Sequence, residues 1–415
     1  MLKWIKRIFI VTLILIVSLI CIALFYINKQ NQSILKTKLE VNQDIQNKVA
    51  SIAKKTKDFK IEKTYKIVGL GEYSHGNSKT QKLRKEIAQK LYEKGELSSI
   101  VLEIPYVDGK RVNEYIHGKS DKTIDEIMQD FTYFLYQTQE MKDLFLWLKQ
   151  INDSGANISF YGIDIQQWDR PKDELNKTLA KLIVNKKIDV KDINVIKEIR
   201  NLLAQKALGE EKTSIMLNLK VLEQEINYEP TLEQTSNVNY TTDSANFRDK
   251  AMAENAMYIQ NEEGKTILLL GHNAHISRES KMQKTMGGFI KEKLGNAYYS
   301  IGTQAKVTSF MARDTQMDFT SKKSHNIEQF SLKDKSEFIK AFGKVKGDSV
   351  ISFDNLPKEV LDFYNQDHAM LSVGATFGII QKIFYMGHYI SVNPVLAYDV
   401  VYVFEQDEPY KFIDN

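Results

Sequence analysis

Short apolar runs alternate with amphipathic stretches along most of the chain. Lys66–Leu70, Ser99–Leu102, Ile158–Ile163, Thr266–Leu270 and Tyr298–Gly302 read as strands, and Val350–Phe353 and Val400–Phe404 add late ones. Between the first two, Thr80–Lys94 predicts a helix, because Leu83, Ile87 and Leu91 recur at i, i+4 and i+8 and Gly95 can stop it. Residues 110–150 also read as helical, with Phe145 and Leu148 among their apolar positions. From about 171 to 260 there are long amphipathic stretches and almost no strand signal, so this part predicts a helical insertion, with Ala251–Gln260 as one of its helices. Alternating strands and helices predict an α/β fold, a central and mostly parallel sheet flanked by helices, as one domain over 61–415.

The N-terminus breaks this pattern. Ile8–Ile27 is apolar except for Thr12 and Ser18. At about 1.5 Å per residue such a run covers roughly 30 Å, the hydrocarbon thickness of a bilayer. Lys3, Lys6 and Arg7 precede it, and Lys29, Lys36 and Lys38 follow it. Moving a short cationic tail across a membrane is unfavourable. Residues 1–28 therefore predict a single-pass transmembrane helix in the cell membrane, with the main domain extracellular. Residues 29–60, polar and weakly periodic, predict a stalk or leading helix. A cleaved signal would have a shorter apolar region and a small-residue cleavage site. Here the run ends Ala23-Leu24-Phe25-Tyr26-Ile27, and bulky Ile20 before Cys21 disfavours a lipoprotein site.

Composition narrows the function classes. Of 415 residues, 43% are hydrophobic and 27% charged, which suits a globular protein. The single cysteine excludes an internal disulfide framework and a Cys-based zinc site. A net charge of +4, from 57 basic and 53 acidic side chains, lacks the basic footprint of a nucleic-acid partner.

Ionisable residues gather just after the predicted strands. Gly71-Glu72-Tyr73-Ser74-His75-Gly76 follows the first, Glu103 and Pro105 the second, Asp164 the third, and Gly271-His272-Asn273-Ala274-His275 the fourth. In open α/β sheets, ligands bind beyond the carboxyl ends of the strands. Three of the seven histidines lie in these motifs, whereas His117, His325, His368 and His388 do not. Histidine suits proton transfer near neutral pH, and a carboxylate can orient it. Glu72 and His75 both leave a Gly-bounded turn, in which Gly71 and Gly76 would let the backbone approach a ligand closely. Glu103 could hydrogen-bond His75 or position a water. Arg84 and Arg248 are candidate binders of a carboxylate or oxyanion. No Gly-x-Ser-x-Gly elbow is present, and Cys21 lies in the apolar N-terminal run, so water activated by His75 is the simplest nucleophile. A divalent metal held by Glu72, His75, Glu103, His272 and His275 is the competing reading, although the Glu-x-x-His sits at a turn rather than on a helix.

These motifs resemble the erythromycin esterase family. Gly69–Gly76 is similar to its Gly-Glu-x-x-His-Gly signature. Leu83-Arg84-Lys85-Glu86, Val101-Leu102-Glu103, Tyr161–Asp164, Arg248-Asp249 through Met252–Asn255, Gly271–His275 and Tyr298–Gly302 follow in the family's order. The likeness runs from about residue 60 to 410. It implies an α/β fold with helical additions, a deep cleft, and hydrolysis of a 14-membered macrolide lactone by activated water, with macrolide resistance as the consequence. It implies His75 as general base, Glu72 and Glu103 positioning or polarising the water, and Arg84 supporting the carboxylates. It also implies His272 and His275 at the reacting ester with Arg248 nearby, and no cofactor. The chain departs from the family at Tyr73-Ser74, where Ala-Thr is usual, and in its N-terminal anchor, since the best-known members are cytoplasmic. Two other readings stand beside it: a metal-dependent hydrolase or protease, and a non-catalytic envelope binding protein.

Overall fold

The computed structural model describes residues 2–166, 169–182, 193–204, 209, 212–233, 242–315 and 326–413, so His325 lies outside it. The strands are β1 (Lys54–Lys55), β2 (Ile67–Glu72), β3 (Leu97–Pro105), β4 (Ser159–Asp164), β5 (Thr266–His272) and β6 (Tyr298–Asp314). They continue with β7 (Ile327–Lys333), β8 (Ser349–Ser352), β9 (His368–Leu371), β10 (Thr376–Phe377), β11 (Tyr389–Val392) and β12 (Val400–Asp407). One ten-stranded sheet runs in the order β1-β8-β12-β6-β2-β5-β3-β4, with β7 and β10 also paired to β6. β9 and β11 form a separate antiparallel pair.

The central strands β12, β6, β2, β5, β3 and β4 are mutually parallel, whereas β8 and β7 run antiparallel to their neighbours. β2, β3 and β5 are buried along their whole length. A parallel strand covered on both faces reads as a continuous apolar run, which is why these segments stand out in the sequence. Alternation divides their side chains between two cores. Val68, Leu70, Ile100, Leu102, Leu268 and Leu270 pack with Leu83, Ile87 and Leu91 of the helix Ser78–Glu93 and with Leu144 and Leu148 of the helix Gln139–Asp153. Ile67, Val101, Ile267 and Leu269 pack on the other face, with Met252, Ala256 and Ile259 of the helix Thr242–Glu263. The described residues of the 171–260 region are helical, and Leu175, Ile196, Ile199, Leu203, Leu219 and Leu222 form a small core of their own there.

Two features beyond the sequence reading have clear causes. β6 continues twelve residues past Gly302, to Asp314. Polar Thr303, Gln304 and Thr308 mask this strand in the sequence, yet all three are buried with partners. Gln304 Nε2 donates to the Leu371 carbonyl at 3.0 Å, and Thr303 Oγ1 donates to the Gly71 carbonyl at 2.9 Å. The segment 29–60 holds a leading helix, and that helix packs on the domain. Asn42 caps the helix Gln43–Ile52 by accepting from Ile45 N–H at 2.9 Å. One turn apart, Ile45 and Val49 bury the same helix face against a core that holds Phe338, Phe342 and Phe363, and Phe59 joins the main core.

The helix Leu2–Leu35 contains a 29-residue stretch, Arg7–Leu35, long and apolar enough to cross a membrane.

Candidate active site

β2, β5, β3 and β4 are consecutive neighbours in the sheet, so their carboxyl ends share one rim. Each end delivers an ionisable residue: Glu72 closes β2, His272 closes β5, Glu103 lies near the end of β3, and Asp164 closes β4. Glu72 and His272 are partners in register. Parallel pairing therefore converts motifs up to 200 residues apart in sequence into one constellation.

His75 sits in the turn between β2 and the helix Ser78–Glu93. Its Nδ1 lies 2.7 Å from Glu72 Oε1, and the other Glu72 oxygen accepts from Arg84 at 2.5 Å. A carboxylate facing Nδ1 places the imidazole proton there and leaves Nε2 as the proton acceptor. Burial pushes the Glu72 carboxyl up, but Arg84 and His75 outweigh it and hold the group below its ordinary value. Glu72 and Arg84 are fully buried behind His75. They orient the ring rather than meet a ligand.

A second network lies beside it. Arg248 donates to both oxygens of Asp164, at 2.9 and 2.7 Å, and to Glu103 Oε1 at 2.8 Å. His275 Nε2 lies 3.2 Å from Glu103, and its Nδ1 makes a short contact with Asp249. The other Glu103 oxygen accepts from the His272 backbone N–H at 2.9 Å. Glu103 thus bonds Arg248 and the His272 amide and pairs with His275, and it shares the cleft wall with His75. Burial alone would raise its carboxyl; His275 and Arg248 instead hold it well below the usual carboxylate range. Burial likewise opposes charge on His275, but Asp249 and Glu103 push that imidazole up to about 10. These two carboxylates favour the protonated form of His275, although Arg248 also approaches its Nε2, at 3.2 Å.

His272 is the opposite case. Burial first, then the neighbouring His75 and His275, lower it to about 3, so it is neutral. Its Nδ1 accepts from Ala274 N–H at 3.2 Å, which leaves the proton on Nε2. That Nε2 is buried with no hydrogen-bond partner among the described residues, and the His272 and His75 ring centroids are 4.9 Å apart.

The two histidine shifts have opposite linkage signs. His275 is raised above its unfolded value, so its stabilisation is full below about pH 6.5 and is lost as pH rises through about 10. His272 is depressed, so its stabilisation is present above about pH 6.5 and is lost as pH falls toward about 3. Urea unfolding of wild type and His275→Gln at pH 7 and pH 10 should show the gap between them narrowing at the higher pH. A constant gap would mean that the stabilising charge is not on His275.

A cleft of about 500 Å³ opens on this rim, walled by His75, Glu103, Arg248 and His275 together with Tyr133, Tyr136, Gln166 and Gln283. Its size suits a drug-sized molecule. Of the residues expected from sequence, these four reach the cleft wall, while Glu72, Arg84 and His272 lie behind it. Asp249, Tyr133 and Gln283 were not picked out as site residues. Asp249 adjoins Arg248 in a motif that could have flagged it. Tyr133, which donates to Asp164 at 2.7 Å, lies in the connection before the 3-10 turn Phe134–Tyr136, within a region the sequence reads as helical and with no comparable signal. Gly71 and Gly76 serve the fold rather than a ligand. A Cβ at Gly71 would lie 2.3 Å from Asn273 Oδ1, and one at Gly76 would lie 2.1 Å from the Met311 carbonyl oxygen.

The metal reading does not fit. Among the described residues no group of three or more His, Cys, Asp or Glu is placed to hold a metal ion. Nδ1 of both His75 and His275 already faces a carboxylate, and Glu103 is matched by Arg248.

Comparison with known proteins agrees with this architecture. The family described as Erythromycin esterase matches residues 93–406. That span includes Glu103, Asp164, Arg248, Asp249, His272 and His275; Glu72, His75 and Arg84 precede it and join the site through the fold. Erythromycin esterase type II of Escherichia coli is 24% identical over 356 residues, which cover 72% of this chain and 83% of that protein. A solved structure from Bacillus cereus superposes with a TM-score of 0.74 at 19% identity, over 90% of this chain and all of that one. An erythromycin esterase mutant in an open conformation superposes with a TM-score of 0.58 at 15% identity, over 85% of this chain and 93% of that one. At such identities the structural likenesses establish the fold.

Proposed function

The chain belongs to the erythromycin esterase family, and from that premise we propose that it hydrolyses an ester, with a macrolide lactone as the substrate class. The observation that carries this reading is the His75–Glu72 pair. It is an imidazole on the cleft wall whose inner nitrogen is locked by a carboxylate, itself locked by Arg84. His75 Nε2 takes a proton from water as the water oxygen bonds to the ester carbonyl carbon. The tetrahedral oxyanion forms beside the cleft-wall residues Arg248 and His275. When the intermediate collapses, the bond from the acyl carbon to the alkoxy oxygen breaks. His75 returns the proton to that oxygen, giving a hydroxy acid. Glu103, on the cleft wall, positions the attacking water.

The apolar helix supports a second element of the reading: anchoring in the cell membrane, with the domain outside and macrolide resistance as the outcome. Incubation of the full chain with erythromycin, followed by mass spectrometry, should show the mass gain of a single water. A folded protein that leaves the lactone intact would remove the macrolide, and a panel of simpler esters would then show whether ester hydrolysis survives.

A further inference from the structure

Four large apolar side chains lie bare on one short stretch. Ile379, Ile380, Ile383 and Met386 are 54%, 48%, 40% and 65% exposed. Single exposed apolar residues are ordinary, but a cluster marks a contact surface. This cluster is seated against the end of the apolar N-terminal helix. Asn31 Nδ2 donates to the Ile383 carbonyl at 2.8 Å, and Tyr385 N–H donates back to Asn31 Oδ1 at 3.0 Å. Gln30 Nε2 lies 3.9 Å from Met386 Sδ.

These contacts set the depth of the cluster. The apolar run ends at Ile27, and Gln30 and Asn31 follow it on the same helix. At about 1.5 Å per residue they sit roughly 5–6 Å past the end of that run. An interfacial helix buries its apolar face about 5–10 Å into the headgroup and acyl boundary. The exposed rings of Phe25 and Tyr26 close the apolar run about 6–9 Å nearer the bilayer centre on the same helix, where aromatic residues favour the interface. Lys29, next to Gln30 on the helix, and Lys382, within the cluster, are exposed, as a surface meeting anionic headgroups requires.

We propose that the helix Ile379–Ile383 and the turn through Met386 rest in the lipid interface, as a second membrane contact beside the anchor. The same backbone leads back through β10 to Gly374 and Ala375, which line the cleft. The contact therefore holds the cleft rim next to the bilayer, where amphiphilic substrates concentrate. The proposal rests on the reading of the N-terminal helix as a membrane anchor.

The test uses the full chain in vesicles of phosphatidylcholine and phosphatidylglycerol with brominated acyl chains. An environment-sensitive fluorophore is placed at native Cys21, at Met386→Cys in a Cys21→Ser background, or at Ser154→Cys in the same background. Ser154 is exposed in the turn before β4, at the opposite end of the strands. The expected result is quenching of about two-fold or more at positions 21 and 386, as for groups in the acyl boundary, and none at 154. Quenching at 21 without 386 overturns the interfacial contact and leaves the anchor intact. No quenching at 21 overturns the anchor and the contact together.

Discussion

His75→Asn should lower ester turnover by about 10²–10⁴-fold, the usual contribution of a general base, while the unfolding midpoint stays close to wild type. Asn keeps the polarity and much of the size of the side chain but cannot accept a proton from water near neutral pH. The ring is on the cleft wall, where it bonds Glu72 and lies against His272, so the expected loss of stability is small beside the loss of rate. Glu72→Gln should also reduce turnover, for a different reason. An amide no longer dictates which ring nitrogen holds the proton, and it leaves the buried Arg84 cation unmatched. Glu72→Gln should therefore lose stability as well as rate, whereas His75→Asn should lose rate alone. Stopped-time mass spectrometry and urea unfolding on the same preparations separate the two. Undiminished turnover in His75→Asn would remove His75 from the reaction.

Arg248→Ala should destabilise the protein by about 3–5 kcal/mol, the cost of breaking a largely buried charge pair from one side. Arg248 spans two acids from different strands, Glu103 on β3 and Asp164 on β4, and its own side chain is 12% exposed. Without it these buried carboxylates face each other with His275 as the remaining cation beside Glu103. Adding Asp164→Asn to Arg248→Ala should recover part of the loss, because the second change removes one of the uncompensated charges. Strictly additive costs in the double variant, measured by urea unfolding, would show that the residues do not act as a unit. The same loss of positive charge beside the cleft should lower turnover, so stability is to be read on the free protein.

The sequence by itself determined the central strands, the helix that covers them and the sheet rim on which the ionisable residues gather. β2, β3 and β5 are buried on both faces, so their composition is nearly all apolar and needs no partner to be recognised. Leu83, Ile87 and Leu91 mark the covering helix face by spacing alone. Glu72, His75, Glu103, His272 and His275 stood out because ionisable residues at strand ends have little structural reason to be there. Tertiary structure alone decided what each of them meets. His275 favours its protonated form because Asp249 and Glu103, 26 and 172 residues away in the chain, meet its two nitrogens. His272 is neutral because it is buried among other imidazoles. Glu103 is held by Arg248 and His275 for the same kind of reason: the fold brings those charges within hydrogen-bond reach. The outer half of β6 and the packed segment 29–60 were hidden likewise. Thr303 and Gln304 are buried because Gly71 and Leu371 satisfy them, Asn31 because Ile383 does, and no local pattern of apolar positions records a partner that far away.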